Sequence, residues 1–421
     1  MALTTHNNYG DANTNRMQML IRCLCVIIIS GACNTCAVFV QPLADLYHWE
    51  ISAVASVATY MVMMWTPGHI ICGKLMSKYG PRGAMLVASV TFAMAYILSA
   101  MVPQSAPWLL YVTFSVIQGI SVGLTYTSSI YTAQAWFPDK PGFASGMCLG
   151  AHGLSGVILA PILASLLQKF GVRTTLYMLG VFCFVVIGAA GIGIKAAPVG
   201  YTPAGFVKKE TKATYESYTP ARAVKTSPFW HLLLAFGFFP AMYIICYPRF
   251  SVFMTDAGFS VAAGTLGVTI YNAAALVGKL FIGMLIDKFG YKKIYAFCGV
   301  CCVLSSLCLV VADSLLMFYL AYVLLGLGFG TTNSVHPVAI STTFGTQYSG
   351  SIFGWCMLGY MGIATFLSPN LSNLMVKATG SYTLSMIYAI CACIVAVILY
   401  CTIKPVPRKP LSELAEPAEE K

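Results

Sequence analysis

Twelve uninterrupted apolar runs, each close to the length of about 20 residues that carries a helix across a bilayer core, govern what this chain can become. They lie near 19–42, 52–74, 83–102, 108–132, 143–168 and 173–195 in the first half. In the second they lie near 229–253, 261–286, 293–312, 315–341, 351–375 and 382–403, and all are numbered here as spans 1 to 12. The runs are continuous rather than alternating, which selects helices over barrel strands because lipid forces each segment to satisfy its own backbone. Only 9% of the 421 residues are charged and 58% are apolar, whereas a soluble protein carries roughly 25% charge. A water-soluble fold is thereby excluded, and the expected class is an all-α membrane protein of twelve transmembrane helices in two six-helix halves.

The net charge of +11 does not indicate nucleic acid, because the basic residues sit in short segments between apolar runs and form no single face. Their distribution sets an orientation instead. Of the 24 Lys and Arg, Lys169, Arg173, Arg249 and Lys377 fall on one side and Lys279 within a span; the other 19 fall on the side of both termini. The positive-inside rule makes that side cytoplasmic, so a multi-pass cell-membrane protein with both termini in the cytoplasm is expected. The division reads as a tail at 1–18, a six-helix bundle at 19–195, a linker at 196–228, a second bundle at 229–403 and a tail at 404–421. The linker holds Pro198, Pro203, Pro220 and the mixed-charge stretch KKETK at 208–212. The polar first 15 residues carry no Lys or Arg ahead of an apolar stretch, so no cleavable signal is expected.

The 16 Cys fall mostly inside apolar runs, where a thiol behaves as a small hydrophobe. Cys33 and Cys36 form a CxxC pair, but no nearby His completes a metal set. No Walker loop, hydrolase triad or kinase set is present, so neither an enzyme nor a cofactor is expected, and ATP-driven transport within the chain is excluded. Trp65, Trp136 and Trp355 are expected to anchor at the membrane interface.

The halves repeat. GKLMSKYGPR at 73–82 matches GMLIDKFGYK at 283–292, and VIQGISVGLT at 116–125 matches VLLGLGFGTT at 323–332, at offsets of 210 and 207 residues. Such duplication is one recognised transporter plan. On these motifs the chain resembles the major facilitator superfamily, whose loop between helices 2 and 3 reads roughly G-x-L-x-D-R-x-G-R. Gly73, Leu75, Lys78 and Gly80 follow that pattern, with Ser77 in place of the acid and Arg82 one residue past the last basic position; Gly283, Leu285, Asp287, Lys288 and Gly290 follow it more closely, with Lys292 likewise one residue past. The resemblance implies that these loops brace neighbouring helices during the transport cycle. WFPDKPGFASG at 136–146, ISGACNTCAVFVQP at 29–42 and TSPFW at 226–230 are similar to the oxalate:formate antiporter and monocarboxylate transporter branch.

Lys279 is the informative residue. A charge within a span costs about 2.5–3.5 kcal/mol or more on insertion scales and usually faces a cavity or partner. The predicted spans hold no Asp or Glu in their apolar bodies, Asp45 and Asp287 being assigned to loops, so a negatively charged ligand is the counter-ion expected for Lys279. The alternative is snorkelling toward cytoplasmic water. The branch resemblance implies the same role for Lys279, as the helix-8 cation that pairs with a substrate carboxylate. It places Tyr360 where the oxalate exchanger has a second cation, and Ala275 where proton-coupled carriers keep an acid. One fixed cation suits one carboxylate, and the missing acid favours exchange or uniport over proton symport. The resemblance further implies that Tyr126, His152, Phe329 and Asn333 line the pocket.

Polar groups recur on single faces: Gln118, Ser121, Thr125, Ser129 and Thr132 in span 4; Ser30, Asn34 and Gln41 in span 1; and Asn272 seven residues before Lys279 in span 8. Such stripes line a path or bond neighbouring helices. His69, His152 and His336 lie within spans and are of the residue type that titrates near neutral pH, and a hydrogen-bonded packing role is expected for each. Tyr243, Tyr247 and Arg249 in span 7 are weaker candidates. The expected function is thus secondary or facilitative transport of a small organic anion, a monocarboxylate, by alternating access in the lipid bilayer, by a monomer. The rivals are a carrier of a neutral or cationic compound and a non-transporting membrane sensor, for which the tail after Lys404 offers no signalling domain.

Overall fold

The computed structural model describes residues 9–10, 14–198, 201–203, 216–246, 254, 257–404 and 406–408, and the structural statements below concern these residues. Helices run over Arg16–Ser30, Cys36–Tyr47, Ile51–Met101, Gln118–Trp136, Pro141–Ile192 and Ser227–Cys246, and then over Val261–Val277, Gly283–Phe289, Tyr291–Val311, Leu315–Phe344, Ser349–Gly359, Ser368–Thr379 and Thr383–Cys401. A 3₁₀ turn at Gly31–Thr35 joins the two helices of span 1. Wider π turns at Tyr111–Ile117, Gly278–Ile282 and Tyr360–Leu367 interrupt spans 4, 8 and 11. Among the described residues no strand forms; the one extended pairing is the isolated bridge between Tyr9 and Ala196.

Nine stretches among the described residues are long and apolar enough to cross a membrane. Two of them, Ser56–Met101 and Pro141–Ile192, each hold two spans, divided where Gly80 and Gly171 adopt φ of 71° and 73°. An L side chain disfavours that conformation, so glycine reverses the chain there without a linker, and Pro81 opens span 3 with its preset φ. Span 4 falls outside the nine because of its Ser, Thr and Gln stripe.

Span 1 is longer than its apolar run. It reaches Tyr47 and so carries Asp45 on its last turn rather than in a loop. Gln41 Nε2 donates to Asp45 Oδ1 at 2.8 Å, an i to i+4 pair that lets a polar end extend the helix. Trp136, expected at the interface, is fully buried and donates from Nε1 to the Lys195 carbonyl at 2.9 Å. The C-terminal end of span 7, with Tyr247 and Arg249, lies outside the described residues, as does KKETK at 208–212.

The chain forms two compact units. One comprises Met1–Ala144, Cys148–Lys212 and Thr346–Gly354, the other Ser145–Met147, Ala213–Gly345 and Trp355–Lys421. In the first unit spans 2 and 4 run parallel in a constant register 58 residues apart. Tyr111 and Ser115 hydroxyls donate to the carbonyls of Ala53 and Val57, and Thr127 Oγ1 meets His69 Nδ1 at 2.7 Å. Two members of the span-4 stripe bond neighbouring helices: Gln118 Nε2 donates to the Tyr96 hydroxyl at 2.6 Å and Thr125 Oγ1 to Ser30 Oγ at 2.6 Å, all four residues being buried.

In the second unit spans 8 and 10 form the corresponding seam, 55 residues apart. A Cβ on Gly326 would lie 2.5 Å from the Tyr271 carbonyl, and one on Gly330 would lie 2.2 Å from that of Ala275. Ser334 Oγ reaches the Lys279 carbonyl at 3.4 Å. The sequence Gly326-xxx-Gly330-xxx-Ser334 is therefore a small-residue stripe that brings two backbones together. The linker's end is tied to this unit by Tyr218, whose amide donates to Phe344 O at 2.8 Å and whose hydroxyl donates to Pro407 O at 2.7 Å. Arg222 lies over the Tyr218 ring and pairs with Glu216 at 2.8 Å; that carboxylate holds the guanidinium above its ordinary pKa.

Candidate anion-binding residues

Lys279 stands in the π turn of span 8, half-buried, and among the described residues no carboxylate lies within salt-bridge distance of it. A π turn widens the helix by one residue and is frequent where a helix carries a functional group. The seam with span 10 sets the level of Lys279. Ser334 meets its backbone, so Asn333, the residue before Ser334, stands at the same depth in the bilayer. Asn333 is half-buried and donates from Nδ2 to Phe329 O at 3.2 Å; Asn272 is exposed and donates to Val268 O at 2.9 Å. Both amides thus spend a donor on their own helix, and their oxygens remain as acceptors. Phe329 stacks on Tyr243 with ring centroids 4.0 Å apart, and Tyr243 lies 5.7 Å from Tyr271, which makes an aromatic wall one helical turn before Asn333. Tyr360 opens the π turn of span 11 and is half-buried.

The first unit gathers three of the expected residues from separate spans. Asn34 Nδ2 donates to the His152 carbonyl at 3.0 Å and lies 3.4 Å from His152 Nδ1. The His152 ring stands edge-on to Tyr126, at 5.5 Å, and to Trp65, at 6.1 Å. Tyr126 also stands 5.3 Å from His69, and Phe353 of the same unit covers both rings. Cys33 Sγ lies 3.9 Å from His152 Nε2.

The histidines differ from one another. His69 is buried and hydrogen-bonded to Thr127, the packing role expected of it. His336 is equally buried but has no hydrogen-bond partner at either ring nitrogen; it stacks on Phe236 at 3.5 Å and meets Tyr295 and Tyr400. Its packing is therefore aromatic rather than hydrogen-bonded, because the neighbours that spans 7, 9 and 12 bring there are rings.

The loop motifs adopt matching shapes. Gly80 and Gly290 take φ of 71° and 83°, and the ammonium groups of Lys78 and Lys288 lie over the rings of Tyr79 and Phe289 at 5.0 and 5.4 Å. Gly73 meets Ser351 within the first unit, where a Cβ would come within 2.3 Å; Gly283 opens the short helix that carries Asp287.

Sequence reasoning did not single out Ser334 or the approach of Cys33 to His152, and it expected Trp65 at the membrane interface rather than edge-on to His152. A Gly-xxx-Gly-xxx-Ser spacing signals Ser334. No local signal exists for a contact between residues 119 positions apart.

A sequence model of the Major Facilitator Superfamily matches residues 23–268 and 248–420, nearly the whole chain. The chain belongs to this superfamily. Among the relatives of this superfamily member, the oxalate:formate antiporter of Oxalobacter formigenes is 25% identical over 361 residues, covering 83% of this chain and 82% of its own. Human monocarboxylate transporter 2 is 22% identical over 385 residues, covering 85% and 78%. The proton:xylose symporter XylE superposes with a TM-score of 0.68 at 16% identity, covering 95% of this chain and 99% of its own, a likeness of fold. The chain is a multi-pass membrane transporter with the twelve-helix fold of this superfamily.

Proposed function

We propose that this transporter carries a small organic anion, a monocarboxylate, by alternating access, with Lys279 as the cation that receives the carboxylate. The observation that carries the reading is Lys279 itself, an ammonium half-buried in a π turn of span 8 with no carboxylate in reach among the described residues. A bound carboxylate neutralises that charge, and a neutral pair crosses a low-dielectric region at lower cost than either ion alone. Asn272, Phe329, Asn333 and Tyr360 complete the recognition surface of the second unit; Asn34, Tyr126 and His152 are the candidates in the first. The similarity to an oxalate:formate antiporter and to monocarboxylate transporters supports the substrate class. Exchange or uniport fits better than proton symport, since the acids found on described spans, Asp45 and Asp287, lie within a turn of helix ends.

The test is carboxylate counterflow in proteoliposomes. Lys279→Gln is expected to lower flux at least tenfold, and neutral solutes are expected not to compete in the parent protein. Undiminished flux in Lys279→Gln, or equal competition by neutral solutes, overturns the assignment and leaves a carrier of another substrate class.

A further inference from the structure

Sulfur gathers at one end of the second unit. Met242 and Cys246 stand four residues apart on the helix of span 7 and therefore share a face. Span 12 brings Met386, in the first turn of Thr383–Cys401, against that face. Cys246 Sγ lies 3.8 Å from Met242 Sδ and 3.6 Å from Met386 Sδ. From span 9, Ser306 Oγ donates to Met242 Sδ at 2.7 Å and holds that thioether in place. All four residues are buried. Cys36, in the first unit, touches the thioether of Met61 at 3.8 Å; Cys246 joins two thioethers, and they come from different spans.

Among the described residues no three His, Cys, Asp or Glu side chains form a metal set. Thioethers widen the choice of donors, and toward soft ions, because thiolate and thioether sulfur select Cu(I). Thiolate bonds to a closed-shell ion are about 2.3 Å long, which puts three sulfurs around one ion about 4 Å apart. Both measured separations are close to that value. Charge selects the valence. One thiolate and two neutral thioethers around a monovalent ion make a neutral complex, whereas a divalent ion leaves a net charge buried at a cost. As Cu(I) binds, a metal–sulfur bond replaces the S–H bond of Cys246, the proton passes to solvent and no electron is transferred. A route in is present. An open cavity of about 360 Å³ among Leu309, Val310, Phe318, Ser381 and Thr383 has Met386 in its lining, so an ion that enters the cavity meets that thioether.

We propose that Met242, Cys246 and Met386 form a binding site for a soft monovalent metal ion, Cu(I), which ties span 7 to span 12. Two of the three donors are thioethers, which need lose no proton to bind. The site lies at the end of the unit away from Tyr218, because span 7 begins beside the linker and span 12 finishes there. It shares no residue with the anion-recognition surface and stands or falls independently of the transport reading.

The test uses the full-length purified protein with exposed Cys25, Cys391 and Cys401 replaced by Ser. Cu(I) is presented as its bicinchoninate complex under ascorbate, and its transfer to the protein is followed by loss of that complex's colour. At one equivalent of copper, X-ray absorption is expected to show sulfur neighbours and no nitrogen. Met242→Leu and Met386→Leu, which conserve volume, are each expected to weaken binding at least tenfold, while Met85→Leu in the first unit leaves it unchanged. Cu(I) is expected to raise the melting temperature of the parent and not that of Met386→Leu, and an excess of Zn(II) is expected not to displace it. Cys246→Ala is expected to abolish binding, and it decides the matter should a Met variant not fold. No transfer of copper, nitrogen ligands, displacement by Zn(II), or parent-like affinity in Met242→Leu, Met386→Leu or Cys246→Ala overturns the proposal.

Discussion

An ammonium placed within a membrane span costs about 2.5–3.5 kcal/mol on insertion scales, so Lys279 calls for a reason to be where it is. That demand is legible in the sequence, because one Lys among apolar neighbours stands out without any knowledge of packing. The company Lys279 keeps is less legible. Asn333 and Lys279 are 54 positions apart in the chain and come to one depth through the contact of Ser334 with the Lys279 carbonyl. Asn34 and His152 meet across 118 positions. A second carboxylate calls for a second cation, and the branch resemblance implies that Tyr360 occupies the place of the oxalate exchanger's second cation. Tyr360→Lys is therefore expected to admit dicarboxylates, with oxalate competing in counterflow at least tenfold better than in the parent. A variant that folds, keeps monocarboxylate flux and still ignores oxalate shows that Tyr360 does not face the substrate.

At the scale of elements, two seams organise the units. Spans 2 and 4 and spans 8 and 10 each run parallel in fixed register, with glycines where backbones meet. The register follows from small-residue spacing, and the repeat at offsets near 210 residues displays that spacing twice. Backbone proximity makes these sites intolerant. A Cβ on Gly330 would sit 2.2 Å from the Ala275 carbonyl, whereas one on Gly362 would meet nothing within 4 Å. Gly330→Val is expected to cost about 1–3 kcal/mol and to lower the melting temperature in detergent, while Gly362→Ala leaves it nearly unchanged. Equal melting temperatures for the two variants contradict the seam. The three π turns were not legible. Their hydrogen-bond pattern depends on neighbouring helices as much as on local residues, and propensity scales do not distinguish a π turn from the α-helix around it.

Across the whole molecule, the apolar runs and the placement of basic residues carry the topology. Nineteen of 24 Lys and Arg fall on the side assigned to the cytoplasm, which predicts that both termini lie there. A fluorescent protein fused to either end is expected to fluoresce and alkaline phosphatase fused to either end to be inactive; an active phosphatase fusion at one end inverts the assignment for that half. What the sequence determined by itself is what scales with local composition: twelve spans, their repeat, the charge bias between their loops and the solitary cation. These follow from transfer energies summed over about 20 residues at a time, and no long-range contact alters them. What only the tertiary structure decided is which polar groups face one another. It sets Gln118 and Thr125 of the span-4 stripe on Tyr96 and Ser30, carries Asp45 on a helix, surrounds His336 with rings and sets Cys33 against His152. Hydrogen bonds act over about 3 Å, and the chain brings distant residues that close only when its helices pack.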